Sequence, residues 1–416
     1  MGDMVTLQGW FKTSYAKDIE DGKLVPDTVM YGREIPAETK EAQTGGDYNY
    51  PLVLSSEQGI TKRGSSAGSF PLNTPISMNV RQTTLAGSQL LLRSAFDYES
   101  ITRMKTPNAF ESETKPIVGN MMDSAYQYLE YDLMWGHSAL GMGTVLNAAA
   151  APTYTITVAE FAPGIWWGSE ARELHIYSPA GVYRGHAPIA TYSIDAPVSV
   201  TTTAAIPGVA NGDIMYFSAG GAADEMHGIY NFMTVAGAFL GVNGTTWNLW
   251  SPCTPYAVGG AISFQHIQAA ITRAYKRGLG KKSKGVQVVL NPYSWLTLAN
   301  DEAALRQYDA SYTPSKFENG AENIKFYSVA GPVEIIAHDN MKQGYAFIHP
   351  QAKKCMKRIG SRPSPSFNIP GQEGEKYFRT MENNAGVELR NYWNCALYSA
   401  LRSQFQLMSG IVNPLV

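Results

Sequence analysis

Residues 59–73 read GITKRGSSAGSFPLN, and residues 114–135 read TKPIVGNMMDSAYQYLEYDLMW. A Gly/Ser-rich excursion followed by one long amphipathic helix decides the fold. In the second stretch Thr114 can accept hydrogen bonds from the free N–H groups of a first turn, and Pro116 falls where a missing donor costs nothing. Gly136 is a natural stop. Between them Val118, Met122, Ala125, Leu129 and Leu133 recur at three- and four-residue spacing and form one apolar stripe. Asn120, Asp123, Gln127 and Glu130 lie opposite, which predicts a half-solvated rod of roughly 30 Å.

Upstream, Leu52, Val53 and Leu54 lead into the Gly/Ser stretch, and behind it Ile76, Met78 and Val80 alternate with Ser77, Asn79 and Arg81. That period predicts a long two-stranded hairpin with a flexible tip, whose residues 64–69 are small and polar and offer no apolar anchor. Residues 1 to about 50 mix short helical patches, such as 7–19, with Gly/Pro breaks and charge, and read as an arm without a core of its own. Downstream, no lysine occurs from Pro116 to Tyr275, a composition shift that marks an inserted unit. Within it the runs 154–158, 174–177, 189–194, 198–203 and 213–217 are punctuated by Gly, Pro and Asp, the pattern of a small β-barrel or sandwich. After Gly260 the rhythm becomes α/β. Ser263 caps a helix carrying Phe264, Ile267, Ile271 and Ala274 and ended by Gly278, and Val286, Val288 and Leu290 alternate as a strand that stops at Asn291-Pro292. A helix is predicted at 301–308, then strands at 333–336, 345–348 and 387–389 and an extended stretch toward Ile411.

At 416 residues the chain can hold two or three domains with substantial cores. Its net charge of −2 argues against a dedicated nucleic-acid binder. Cys253, Cys355 and Cys395 lie far apart without a CxxC pair, so neither a disulfide framework nor a zinc site is indicated, and synthesis in a reducing cytoplasm is expected. No signal peptide and no membrane-spanning run is apparent.

Chemical motifs mostly fail. Gly64-Ser65-Ser66-Ala67-Gly68 matches G-x-S-x-G, but a nucleophile elbow needs a strand before it and a helix after it, whereas Lys62-Arg63 precede and Phe70-Pro71 follow. Gly136, Gly141 and Gly143 are not followed by the Gly-Lys-Ser/Thr of a phosphate loop. His137, His175, His186, His227, His266, His338 and His349 show no short ligand spacing and read as surface or satisfied core residues. No catalytic, cofactor or metal residue is therefore assigned. Two basic clusters stand out: Arg273, Lys276, Arg277, Lys281, Lys282 and Lys284 around one helix C-terminus, and Lys353, Lys354, Lys357, Arg358 and Arg362.

The order of arm, extended hairpin, long helix, α/β part and returning strands resembles the major capsid proteins of tailed bacteriophages, with the HK97-type fold. Several strings add to the likeness: Leu92-Arg93-Ser94-Ala95-Phe96-Asp97-Tyr98, Ala109-Phe110, Leu129-Glu130-Tyr131-Asp132-Leu133, Val289-Leu290-Asn291-Pro292-Tyr293-Ser294-Trp295, Gly386-Val387-Glu388-Leu389-Arg390 and Ser409-Gly410-Ile411-Val412. The resemblance implies an α+β chain divided into an N-terminal arm (1–50), an E-loop with flanking strands (51–105), a P-domain with the spine helix (106–150), an inserted β-rich domain (151–259), an A-domain (260–345) and returning P- and A-domain strands (346–416). It further implies a non-enzymatic subunit without cofactors or membrane contact. Copies of it would form hexamers and pentamers of an icosahedral head around double-stranded DNA, in a virion assembled in the host cytoplasm. Portal, scaffold or decoration proteins are the further partners the family offers. An encapsulin-like nanocompartment shell is the alternative within the same fold.

Overall fold

The computed structural model describes residues 29–39, 47–65, 68–98, 107–195, 197–280, 285–300, 324–367, 378–381 and 384–413. The expected helices at 7–19 and 301–308 lie outside these residues. The architecture is α+β, with the spine helix as its axis. This helix runs Pro107–Trp135, seven residues further upstream than the Thr114 cap predicts. Pro107 takes the first-turn position, and Pro116 sits inside, at the cost of one i to i−4 hydrogen bond. The stop is where the sequence places it, for a different reason. His137, not Gly136, takes the positive φ of 53°. Gly136 is required by close approach, since a Cβ there would come within 2.4 Å of the Met226 carbonyl oxygen.

Of this helix, expected to be solvated along one face, only Gly119 and Asn120 are exposed among the residues whose burial is described. From Leu129 to Trp135 every residue is buried. Three layers enclose it. A five-stranded sheet joins Ser88–Asp97, Lys357–Ser366, Gly386–Tyr398, Phe378–Thr380 and the short Ala37–Thr39, with the 13-residue strand Gly386–Tyr398 at its centre. A six-stranded sheet runs in the order Tyr256–Gly260, Gln406–Ile411, Tyr345–Pro350, Val286–Leu290, Gly331–Ala337, Ile324–Ser328. Its central strand Val286–Leu290 is buried throughout, including Gln287, whose side chain donates to Glu34 and accepts from Ala352 N. The helix Phe264–Tyr275 packs on this sheet and starts as predicted, with the Ser263 hydroxyl accepting from His266 N. Asn291 does more than end the strand: its side chain caps a second helix, Pro292–Ala299.

The third layer is a closed barrel of six antiparallel strands, Gly143–Asn147, Thr153–Ile156, Glu173–Tyr177, Tyr183–Ser193, Ser199–Thr202 and Ile214–Tyr216. Closure leaves no free edge, and Tyr154, Ile156, Leu174, Ile176, Ile189, Val200 and Met215 fill the interior. Four of these strands match the runs the sequence marks, and the fifth, Tyr183–Ser193, starts upstream of its run 189–194. The sixth, Gly143–Asn147, follows the spine directly and makes the barrel continuous with the core that holds Trp135, Trp166 and Trp250. Just before the strand Gln406–Ile411, Arg402 is fully buried and donates to the carbonyls of Phe232, Trp250 and Val235, in the segment after the barrel, while lying over the Phe239 and Trp250 rings.

Candidate interaction sites

The hairpin is the feature least used by the chain's own core. Asp47–Val53 and Val80–Ala86 pair in register from Asp47↔Ala86 to Val53↔Val80. Its base is fixed: Tyr48 and Leu85 are buried with Ile359, Ala396 and Tyr398, the Tyr48 hydroxyl accepts from Ser361 N, and Tyr50 stacks on Tyr398. Beyond the ladder the two limbs still run together through Leu54 N to Asn79 O (2.8 Å) and Gln58 N to Ile76 O (3.0 Å). The tip is better tied than its Gly/Ser content suggests. Asn73 bonds both Thr61 Oγ1 and Ile60 O, and Arg63 reaches Ser69 O and the Phe70 ring. Around the small residues Ile60, Phe70, Leu72, Ile76, Met78 and Val80 are all exposed, Leu72 at 79%. A row of large apolar side chains in water on a projecting limb needs a partner surface.

A second site holds the start of the described chain. Residues 29–36 are not a coreless arm. Val29, Tyr31 and Ile35 are buried, and the short helix Tyr31–Glu34 sits with its N-terminus on Glu130. The Glu130 carboxylate accepts from Met30 N (3.2 Å), Tyr31 N (2.8 Å), Gly32 N (2.7 Å) and His338 Nε2 (3.0 Å). Gly32 permits this approach, because a Cβ there would sit 3.3 Å from Glu130 Oε2 and 3.0 Å from Val29. Since His338 Nδ1 accepts from Asn340 N, its proton is on Nε2, facing the carboxylate. The strap then continues as Ala37–Thr39, parallel to the strand that starts at Lys357, with Arg358 Nε donating to Ile35 O and Lys357 paired with Glu38 at 2.9 Å.

His349 closes this site. Its Nδ1 donates to Pro350 O (2.7 Å), which leaves Nε2 to accept from the Tyr31 hydroxyl (2.8 Å). Complete burial lowers its pKa to about 4, against the small opposing effect of the Pro350 carbonyl. The unfolded imidazole takes up a proton near pH 6.5 and the folded one only near 4, so the neutral ring's contribution is intact above pH 6.5 and is lost as pH falls through that window. The stability difference between the parent and His349→Gln is expected to shrink by about 2.5 kcal/mol between pH 7.5 and 4.5. Urea melts at the two pH values measure this, and a pH-independent difference would count against the buried neutral ring.

The two basic clusters do not survive as faces of equal kind. In the second, Arg358 is buried and holds Ile35 O and Pro363 O, and Lys357 is used by Glu38, so only Lys353 and Lys354 remain as adjacent exposed cations. In the first, Arg273 lies over Tyr256, Arg277 donates to Ser251 O, and Lys276 is exposed, while 281–284 lie outside the described residues. The G-x-S-x-G string falls on the exposed hairpin tip, without strand before or helix after, and Ser66 itself is outside the described residues. His175, His227, His266, His338 and His349 all have hydrogen-bond partners. The three cysteines are buried and free. Glu130, Arg402 and Lys342 are the structural residues the sequence reading missed. Lys342 is fully buried, and its ammonium donates to the carbonyls of Leu140 and Gly141 beyond the spine's end.

No family model and no curated protein matches the chain. Among solved structures, the capsid asymmetric unit of cyanophage A-1(L) superposes with a TM-score of 0.51 at 9% identity, over 95% of this chain and 96% of that one. The capsid of Myoviridae phage XM1 follows at 0.45 and 9% identity, over 95% and 96%. The holo-SrpI encapsulin complex of Synechococcus elongatus follows at 0.40 and 10% identity, over 97% and 96%. Nearly the whole chain thus has the fold of a phage capsid subunit, the α+β fold that its sequence resembles.

Proposed function

We propose that this chain is the major capsid protein of a tailed phage, forming hexamers and pentamers of an icosahedral head around double-stranded DNA. The observation that carries this reading is the projecting hairpin, fixed at its base and apolar at its outer limb, on a body with a capsid subunit's fold. Such an arm adds buried area between subunits without requiring the core to change. Many contacts of a few kcal/mol each make a shell that is collectively stable yet able to reopen single errors during growth. The subunit performs no covalent chemistry in this role. Its DNA contact is charge-based and non-specific, with portal, scaffold or decoration proteins as further partners. Electron microscopy of the purified full-length chain is the test. Regular shells or five- and sixfold capsomers are expected, and a chain that stays monomeric at high concentration would overturn the reading. Closed shells that take up protein rather than DNA during phage growth would favour the nanocompartment alternative.

A further inference from the structure

A cavity of about 510 Å³ opens between the spine helix, the strand Ser88–Asp97 and the segment following the barrel, a volume suited to a small organic ligand. Tyr128, Tyr131, Phe217 and Leu90 give it an apolar wall, and Asp132, Asp224 and Glu225 bring carboxylates to it, of which Asp224 already accepts from Gly220 N. Asp132 is only 6% exposed, and among the described residues no hydrogen bond or ion pair reaches its carboxylate. Glu225 accepts one, from His137 N at 3.0 Å. Among the described residues no lysine, arginine or histidine lines the cavity. Of the cations nearby, Lys342 is held by two carbonyls, and Arg172 lies over the wall rings Tyr128 and Phe217 at 4.5 and 4.6 Å, its Nη1 buried without a hydrogen-bond partner.

An anion placed like this is costly. Asp132 lies in the last turn of the spine helix, at the negative end of its dipole, and burial lifts its pKa to about 7. Glu225 is raised well above the carboxylate range by burial and then by the Asp132 charge. A hard metal ion does not suit the site, because it takes six or more oxygens and, among the described residues, the carboxylates here do not converge into a group that could hold one.

We propose that this cavity binds an organic cation, an ammonium or guanidinium group on an aliphatic stem, with its charge between Asp132 and Glu225 and its stem against Tyr128, Tyr131 and Phe217. Burial of the stem against these rings adds a hydrophobic contribution to the ionic attraction. A free amine and a lysine or arginine side chain from a second copy offer the same chemistry, and the proposal stands whether or not the chain builds a shell.

The test is calorimetric titration of the full-length chain, at a dilution where sedimentation shows monomer, with n-hexylamine and with n-hexanol. Hexylammonium is expected to bind at least about tenfold more tightly than the alcohol, and Asp132→Asn and Glu225→Gln each to weaken it by about tenfold or more. Asp132→Asn replaces the buried carboxyl group by a neutral isostere, and a melt of each variant checks that it is folded. If self-association at higher protein concentration expels the amine, the natural occupant is a side chain of a second copy. If it does not, the occupant is a free amine. Equal binding of amine and alcohol, no binding of either, or undiminished binding by both folded variants overturns the proposal.

Discussion

Glu130→Ala is expected to release residues 29–36 from the spine helix and to lower the chain's stability by about 3–5 kcal/mol. The carboxylate is fully buried and takes four donors, three of them consecutive backbone N–H groups at the start of the helix Tyr31–Glu34. Left dry and unpaired, each donor costs about 1–3 kcal/mol. The chain can escape part of that cost by letting the strap go. It then loses the burial of Tyr31 and Ile35, about 1.5–3 kcal/mol each, so both routes lead to a loss of the same order. Glu130→Gln keeps the volume but turns one acceptor oxygen into an amide group facing N–H donors, and most of the loss should persist. Urea melts measure the global effect, and the rate of tryptic cleavage after Arg33 measures release of the strap. An unchanged midpoint together with an unchanged cleavage rate would falsify the anchoring role.

Glu130 also shows where sequence reading stops. Periodicity along 114–135 correctly picks out Leu129 and Leu133 as core, because an apolar stripe is a local property of a helix. It also places Glu130 and Gln127 in solvent, and both are buried. Their partners come from positions no local pattern reaches: the donors to Glu130 are 98 to 208 residues away. Asp132 escapes for the same reason, since only the assembled barrel, sheet and helix make its cavity. The cap at Ser263, the buried strand at Val286–Leu290 and five barrel strands are legible because capping and alternation are written within a few residues. The barrel strand Gly143–Asn147 is not, because a glycine at one end and an asparagine at the other read as loop, and one of its two partners, Ile214–Tyr216, lies far on in the chain. The hairpin is legible as an extended pair, but the order of its tip is not. That order rests on Asn73 and Arg63 reaching back across the turn, which composition does not convey.

The double substitution Leu72→Asp, Ile76→Asp is expected to abolish closed shells while leaving the subunit folded. Both side chains stand in water on the outer limb, at 79% and 55% exposure, so within the monomer the change should stay near about 0.5 kcal/mol. In the proposed shell the same positions would meet a neighbour. Burying a leucine or isoleucine there contributes about 1.5–3 kcal/mol, and a carboxylate in its place forfeits that gain and adds a desolvation penalty. Every subunit in a ring repeats the loss, which turns a modest local change into failure of assembly. Leu129→Asp separates the two effects. It puts a charge at a fully buried position of the spine and should cost several kcal/mol, enough to send the chain into aggregate before assembly is reached. Sedimentation and microscopy report shells, and thermal melts report the fold. The hairpin variant should therefore appear as soluble, cooperatively melting subunits, and Leu129→Asp as insoluble protein. Shells of normal size and yield from the hairpin variant would show that this limb does not join subunits, and the reading of its exposed apolar row would have to be given up.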